Sequence, residues 1–330
     1  MDAVEKSNVV AVTSELSDRT SIHHNITSST SDNACDNWKY ELNFENVKID
    51  EIHMPLQLRG KQWTIERAIG EGTNFKTYLA TSNDGAKAMM VKDLQCEKIA
   101  NKIEDLEMMK QIGKHANIAT LIGFRQVNLC WEQFMEYVDG GSLYEYLNQN
   151  YIKENRLLEI KKAQSFFHDL LSAVEHIHSL QIAHMDIKLE NCLITRSGVV
   201  KLTDFDEARY FIPNLKVPYP VYFTVSYAAP ETFTRRYWPN CADIWACGIF
   251  LYFLLQQNFP WHIANRKDDA YRRWSKMNDK NVFSIIPDCY GCVPDLLMKI
   301  LNVKAEQRAT INEILTHEWL QNDHQMAIQS

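Results

Sequence analysis

The chain divides by the period of its apolar positions. After Lys61, short runs rich in β-branched and aromatic residues alternate with Gly, Asn or Asp: QWTIERAIG, KTYLAT, AKAMMVKDL and LCWEQFMEY. Runs of this length and texture predict strands. A longer run, EKIANKIEDLEMMKQI, stands between the third and the fourth and predicts a helix. From Ser142 the period changes. In AQSFFHDLLSAVEHIHSL, apolar residues fall at 166, 167, 170, 171, 174 and 177, which is one face of a helix. Helical patterns continue from there. The expected fold class is α+β: a small antiparallel sheet with one main helix, followed by a larger helical part.

Composition narrows the partners. The 330 residues carry a formal net charge of −7, with 45% hydrophobic and 23% charged residues. That balance fits a globular domain and speaks against nucleic-acid or anionic-membrane partners. Residues 1–60 hold five Lys/Arg against ten Asp/Glu, so most of the acidity lies at the N-terminal end. Residues 1–37 are rich in Ser, Thr, Asn and Asp and read as a disordered tail. Residues 38–60 are more apolar and read as an extended arm, and 323–330 as a short C-terminal tail. The N-terminal end is charged throughout and is no signal peptide. The run IWACGIFLYFLL, Ile244 to Leu255, is about half the length that spans a bilayer and predicts a buried helix. The eight cysteines are scattered and are expected to be reduced thiols. Cys289 and Cys292 form a CxxC, but no second pair exists to complete a zinc site, so a loop is the plainer reading.

The candidate chemistry lies in three places. Gly70, Glu71 and Gly72 join the first two strands, where backbone N–H groups can approach a phosphate. About twenty residues later Lys92 ends the third strand, from which an ammonium can reach phosphate oxygens. The strongest stretch is HMDIKLEN. Asp186 can accept a proton from a substrate hydroxyl, and Lys188 can neutralise charge on a transferred phosphate. Asn191 and Asp204 offer the hard oxygen atoms that Mg²⁺ prefers. Then follow Ala229-Pro230-Glu231, Asp243 and Arg308.

This ordered set resembles the eukaryotic protein kinases over about residues 61–322. Lys188, two after Asp186, with Thr224 before Ala229-Pro230-Glu231, resembles the Ser/Thr type. EYVDGGSLYEYL, DIWACGIFLYFLLQQNFPW and AYRRWSKMND look most similar to the checkpoint kinases of the DNA-damage response, over the catalytic domain only. The resemblance implies an N-lobe over 61–138, a C-lobe over 139–322 and ATP with Mg²⁺ in the cleft between them. It implies a hinge at MEYVDGG, with Met135 as gatekeeper and the backbones of Glu136 and Val138 on adenine. It also implies Glu231 paired with buried Arg308, and Asp243 bracing the catalytic loop. Protein Ser/Thr side chains are the implied substrates, for a monomeric catalytic domain in the cytoplasm or nucleus.

Five positions depart from the pattern. Met185 replaces an arginine that in many kinases binds a phosphorylated activation loop, so activity is expected not to depend on that phosphate. Asp206 replaces a glycine whose unusual dihedrals Asp tolerates better than most residues. Phe75 takes the third glycine position and leaves the amides of Gly72, Thr73 and Asn74 to cap phosphates. Asp105 stands where a glutamate is expected to pair with Lys92, with Glu104 and Glu107 as neighbours and Glu107 as a possible substitute. Ser142 replaces an acid that contacts ribose or a basic substrate residue, while Glu190 remains. Two functions fit: an active Ser/Thr kinase, or a pseudokinase scaffold that holds nucleotide. Retention of Asp186 and Asn191 favours the first, because a scaffold need not keep them.

Overall fold

The computed structural model describes residues 63–71, 75–93, 99–127, 130–217, 224–234, 236–277 and 292–321. The tail and arm of 1–60, the loop residues Gly72, Thr73 and Asn74, Cys289 and the segment 323–330 lie outside the described residues.

The N-terminal part is a five-stranded antiparallel sheet in the order β1-β2-β3-β5-β4. Its strands are β1 (Trp63–Glu71), β2 (Phe75–Ser82), β3 (Lys87–Asp93), β4 (Leu121–Val127) and β5 (Cys130–Glu136). One helix, α1 (Ile99–Ile112), lies between β3 and β4. Four of these strands carry the expected pattern; β4 does not. Its sequence LIGFRQV has Gly123 where the ladder shifts register between Leu121 and Gly123, and this breaks the alternation that marks a strand.

The C-terminal part is built on two buried helices. The first, α3 (Ile160–Ser179), buries Phe166, Phe167, Leu170, Leu171, Val174 and Ile177, the apolar face that its period predicts. The other is α4 (Pro239–Gln256), in which every residue from Ala242 to Leu255 is buried. A long apolar stretch that is hydrophobic all round is the mark of a central helix. No helix among the described residues is long and apolar enough to cross a membrane. α4 meets α6 (Val293–Ile300) closely: a Cβ added to Gly248 would lie 2.6 Å from the side chain of Ile300. Short helices complete the layer: α2 (Leu143–Leu147), α5 (Asp269–Met277) and α7 (Ile311–Leu315).

Ser142 has a local task. It is the N-cap of α2, accepting a bond from Glu145 N while the Glu145 side chain returns to the Ser142 N–H. This reciprocal box satisfies two otherwise orphaned donors.

Two small two-stranded sheets, the second a hairpin, carry the site. β6 (Ile182–Ala183) pairs with β9 (Arg209–Tyr210), and β7 (Cys192–Ile194) pairs with β8 (Val200–Leu202). Gly140, just past β5, packs against this second hairpin. A Cβ there would collide with the Ile194 carbonyl oxygen, so only glycine fits.

Candidate active site

The segment between β6 and β7 holds the candidate chemistry, and α4 holds that segment. Asp243 is 1% exposed. Its Oδ2 accepts the His184 N–H at 2.8 Å, and its Oδ1 accepts the Met185 N–H at 2.9 Å. His178, in the last turn of α3, bonds Oδ2 at 2.9 Å. Three donors on one buried carboxylate fix the turn in which Met185 takes a left-handed φ of 69°.

His184 is fully buried and bonds along the same turn. Its Nδ1 accepts from Asp186 N at 3.3 Å, so Nε2 carries the proton and donates to the Thr203 carbonyl at 3.0 Å. Burial depresses its pKa, against the opposing pull of Asp243, and keeps the ring neutral.

Asp186 stands at the centre. Lys188 Nζ lies 2.5 Å from Oδ2. The Thr224 hydroxyl donates to Oδ1 at 3.0 Å. Asn191 Nδ2 donates to Oδ2 at 2.9 Å and to the Asp186 carbonyl at 3.0 Å. The amide nitrogen of Asn191 is therefore committed, and its oxygen is the atom that can face a cation.

Asp204 follows β8 with φ 63°. Burial pushes its carboxyl up to about 7, helped by the negative charges of Asp206 and Asp186 and opposed by Lys188. Carboxylates gathered in this way, with one nearby ammonium, suit a divalent cation, whose charge would lower that pKa. Among the described residues no three His, Cys, Asp or Glu side chains form a metal cage of their own. Mg²⁺ held by one or two protein oxygens and by substrate phosphates needs no such cage.

The structure corrects the expectation for Asp206. The left-handed residue is Asp204, and Asp206 is absent from the positive-φ residues. Aspartate at 206 therefore meets no glycine-type backbone demand. Its backbone N–H stabilises the ionised form of Asp204 while its carboxylate opposes it.

On α1, Glu104 and Glu107 are exposed and Asp105 is half-buried. Glu107 is paired with Lys110 at 2.5 Å. Lys92 stands in the ladder opposite Lys76 of β2 and Glu132 of β5. At the hinge, Met135 is buried opposite Met89. Val138 is buried as well. The Glu136 N–H donates to the Thr120 carbonyl at 2.8 Å.

Two relationships were not expected. The Glu136 carboxylate pairs with Lys201 of β8 at 3.0 Å, tying the hinge to the strand that leads into Asp204. His178 joins Asp243 from α3; in the sequence it looks like a polar last-turn residue. The pairing of Glu231 with Arg308 is as expected, at 2.6 and 3.0 Å, and Arg308 also donates to the Cys241 carbonyl at 2.6 Å. Among the described residues, no Lys or Arg lines the cleft that holds Met185. Met185 shares it with Tyr227, Ala228, Ala229, Ala242 and Ala246. The described cysteines Cys192, Cys241, Cys247 and Cys292 are free thiols.

A family model described as a protein kinase domain matches residues 63–320. The chain belongs to the protein kinase family. It is 30% identical over 278 residues to the serine/threonine-protein kinase chk-1 of Caenorhabditis briggsae, covering 79% of this chain and 54% of that protein. It is 27% identical over 273 residues to CBL-interacting serine/threonine-protein kinase 20 of Arabidopsis thaliana, covering 79% and 59%. It is 29% identical over 262 residues to CBL-interacting protein kinase 25 of Oryza sativa subsp. japonica, covering 76% and 49%. This kinase domain is thus similar to Ser/Thr kinases of several kinds, chk-1 among them. The chain spans about half the length of these curated relatives.

Proposed function

We propose that this kinase domain transfers the γ-phosphate of ATP to Ser/Thr hydroxyls of protein substrates. One observation supports this above the rest: Asp186 is held at once by Lys188, Thr224 and Asn191, while Asp204 lies near enough to feel its charge.

Asp186 accepts a hydrogen bond from the substrate hydroxyl, orients it and takes its proton as the new bond forms. Thr224 and Asn191 hold the carboxylate in one rotamer, so little reorganisation is left for the reaction. Lys188 places its ammonium beside the transferred group and offsets developing charge. Asn191 and Asp204 would hold Mg²⁺, which supplies positive charge to the phosphate oxygens. Lys92 reaches the phosphates, with Asp105 as its partner on α1. The backbone amides of Gly70 to Asn74, Glu71 and Thr73 included, would supply N–H donors to them. The Glu136 carbonyl and the Val138 backbone take adenine. A pseudokinase scaffold would have no use for the three-way hold on Asp186.

The test is transfer from labelled ATP with Mg²⁺ or Mn²⁺, comparing wild type with Asp186→Asn. A loss on the order of 10²-fold or more is expected. Equal transfer by the two proteins sinks the reading.

A further inference from the structure

The last turn of α1 is tied to the C-terminal part from two sides. His176 of α3 bonds the Ile112 carbonyl through Nε2 at 2.8 Å. From the other side, the Tyr210 hydroxyl donates to Gln111 Oε1 at 2.7 Å. The first contact joins two helices. The second joins α1 to the activation segment, the stretch from Asp204 to Glu231.

Tyr210 is well placed to transmit position. Its backbone pairs with Ile182 of β6, two residues before His184. Its neighbour Phe211 is buried, packs edge-on to His178 at 5.7 Å and donates its N–H to the Gln181 carbonyl at 2.8 Å. One hydroxyl therefore connects the helix that carries Asp105 with the strand that leads into Asp186.

Met185 gives this contact its importance. With an arginine there, a phosphate could organise the activation segment. Met185 instead lines a cleft whose polar residues are Asp186, Asp243, Thr224 and Thr232, with no Lys or Arg among them. Ties of the segment such as the β9–β6 pairing, buried Phe211, the Tyr227 hydroxyl on the Leu189 N–H and Thr224 on Asp186 need no phosphate.

We infer that Tyr210 and Gln111 form an inter-lobe latch that positions α1 against the activation segment in the working conformation. Both are positioning residues and neither touches the reacting atoms. The activity arm of the test rests on the proposed kinase function. A neutral bond between partly exposed groups shifts such an equilibrium about two- to tenfold.

The experiment compares wild type, Tyr210→Phe, Gln111→Leu, the double variant and Gln111→Glu, which keeps an acceptor for the hydroxyl. The latch predicts that Tyr210→Phe and Gln111→Leu each lower kcat by about two- to tenfold, with KM for ATP and the melting temperature nearly unchanged. The double variant falls no further than the worse single one. Gln111→Glu keeps wild-type kcat. Amide exchange across residues 99–112 speeds up in Tyr210→Phe. Additive losses, or wild-type kcat and exchange in Tyr210→Phe, overturn the latch. If wild type transfers no phosphate, the kinase reading fails separately, and exchange alone decides: faster exchange supports the latch and unchanged exchange overturns it.

Discussion

Asp243 Oδ1 accepts the backbone N–H of Met185, across 58 residues of sequence, at 2.9 Å. The same carboxylate takes His184 N and the His178 ring. Asp243→Asn keeps the shape and turns one acceptor into a donor that faces another donor. Such a buried mismatch costs about 1–3 kcal/mol. Urea unfolding should show that loss, with an unchanged m-value. Phosphoryl transfer per folded molecule should fall as well, because the turn before Asp186 loosens.

Arg308 and Glu231 form a largely buried ion pair. The Arg308 side chain is 1% exposed and that of Glu231 14%. Glu231→Ala strands a guanidinium, at a cost of about 3–5 kcal/mol. A domain of this size loses about 2–4 °C per kcal/mol. Calorimetry should therefore show a drop on the order of 10 °C. Adding Arg308→Met should recover part of it, which a simple packing defect at 231 would not do.

Thr224 donates to Asp186 and stands 3.3 Å from Lys188. Thr224→Glu sets a second carboxylate against the first. Transfer activity should fall at least about tenfold, since the two charges repel and Lys188 is drawn away. Thr224→Ala should fall less, and Ser226→Ala should stay near wild type. Activation by the glutamate would mean that the segment has a cationic cradle after all, which Met185 does not supply.

The buried neutral His184 ties stability to pH. Its folded pKa lies below its unfolded value near 6.5. Between those two values the unfolded chain binds a proton that the native state refuses. The stability it contributes is thus complete above pH 6.5. It is lost as pH falls toward the folded pKa, by up to about 1.4 kcal/mol per pH unit. Unfolding of wild type and His184→Asn at pH 7.5, 6.0 and 5.0 isolates this part: the gap between the two proteins should narrow as the pH drops.

Residue chemistry at fixed spacing was the legible part of this protein. Asp186, Lys188 and Asn191 lie within six residues, so their convergence follows from one turn of chain. Asp243, Glu231 and Arg308 were legible through the family pattern. Contacts between distant, plain-looking residues were not. His178 follows apolar Ile177 and looks like a solvated last-turn residue, yet it meets Asp243 at 65 positions' distance. Lys201 looks like the polar half of a strand alternation, yet it holds Glu136. β4 escaped because a register shift at Gly123 interrupts its period. The left-handed backbone falls at Asp204 and not at Asp206, a placement that residue type alone does not reveal.

Gly140 bears on more than a turn. Because its missing side chain lets the hinge rest on the carbonyl of Ile194, the spacing between the hinge and the β7–β8 hairpin is set by backbone alone. Asn191 immediately precedes β7, and Asp204 follows β8 by two residues. The segment that would hold the base and the residues that would hold the phosphate-bound cation are therefore measured from a common ruler. Any side chain at position 140 lengthens that ruler, and a nucleotide of fixed length would then fit at one end or the other but not at both.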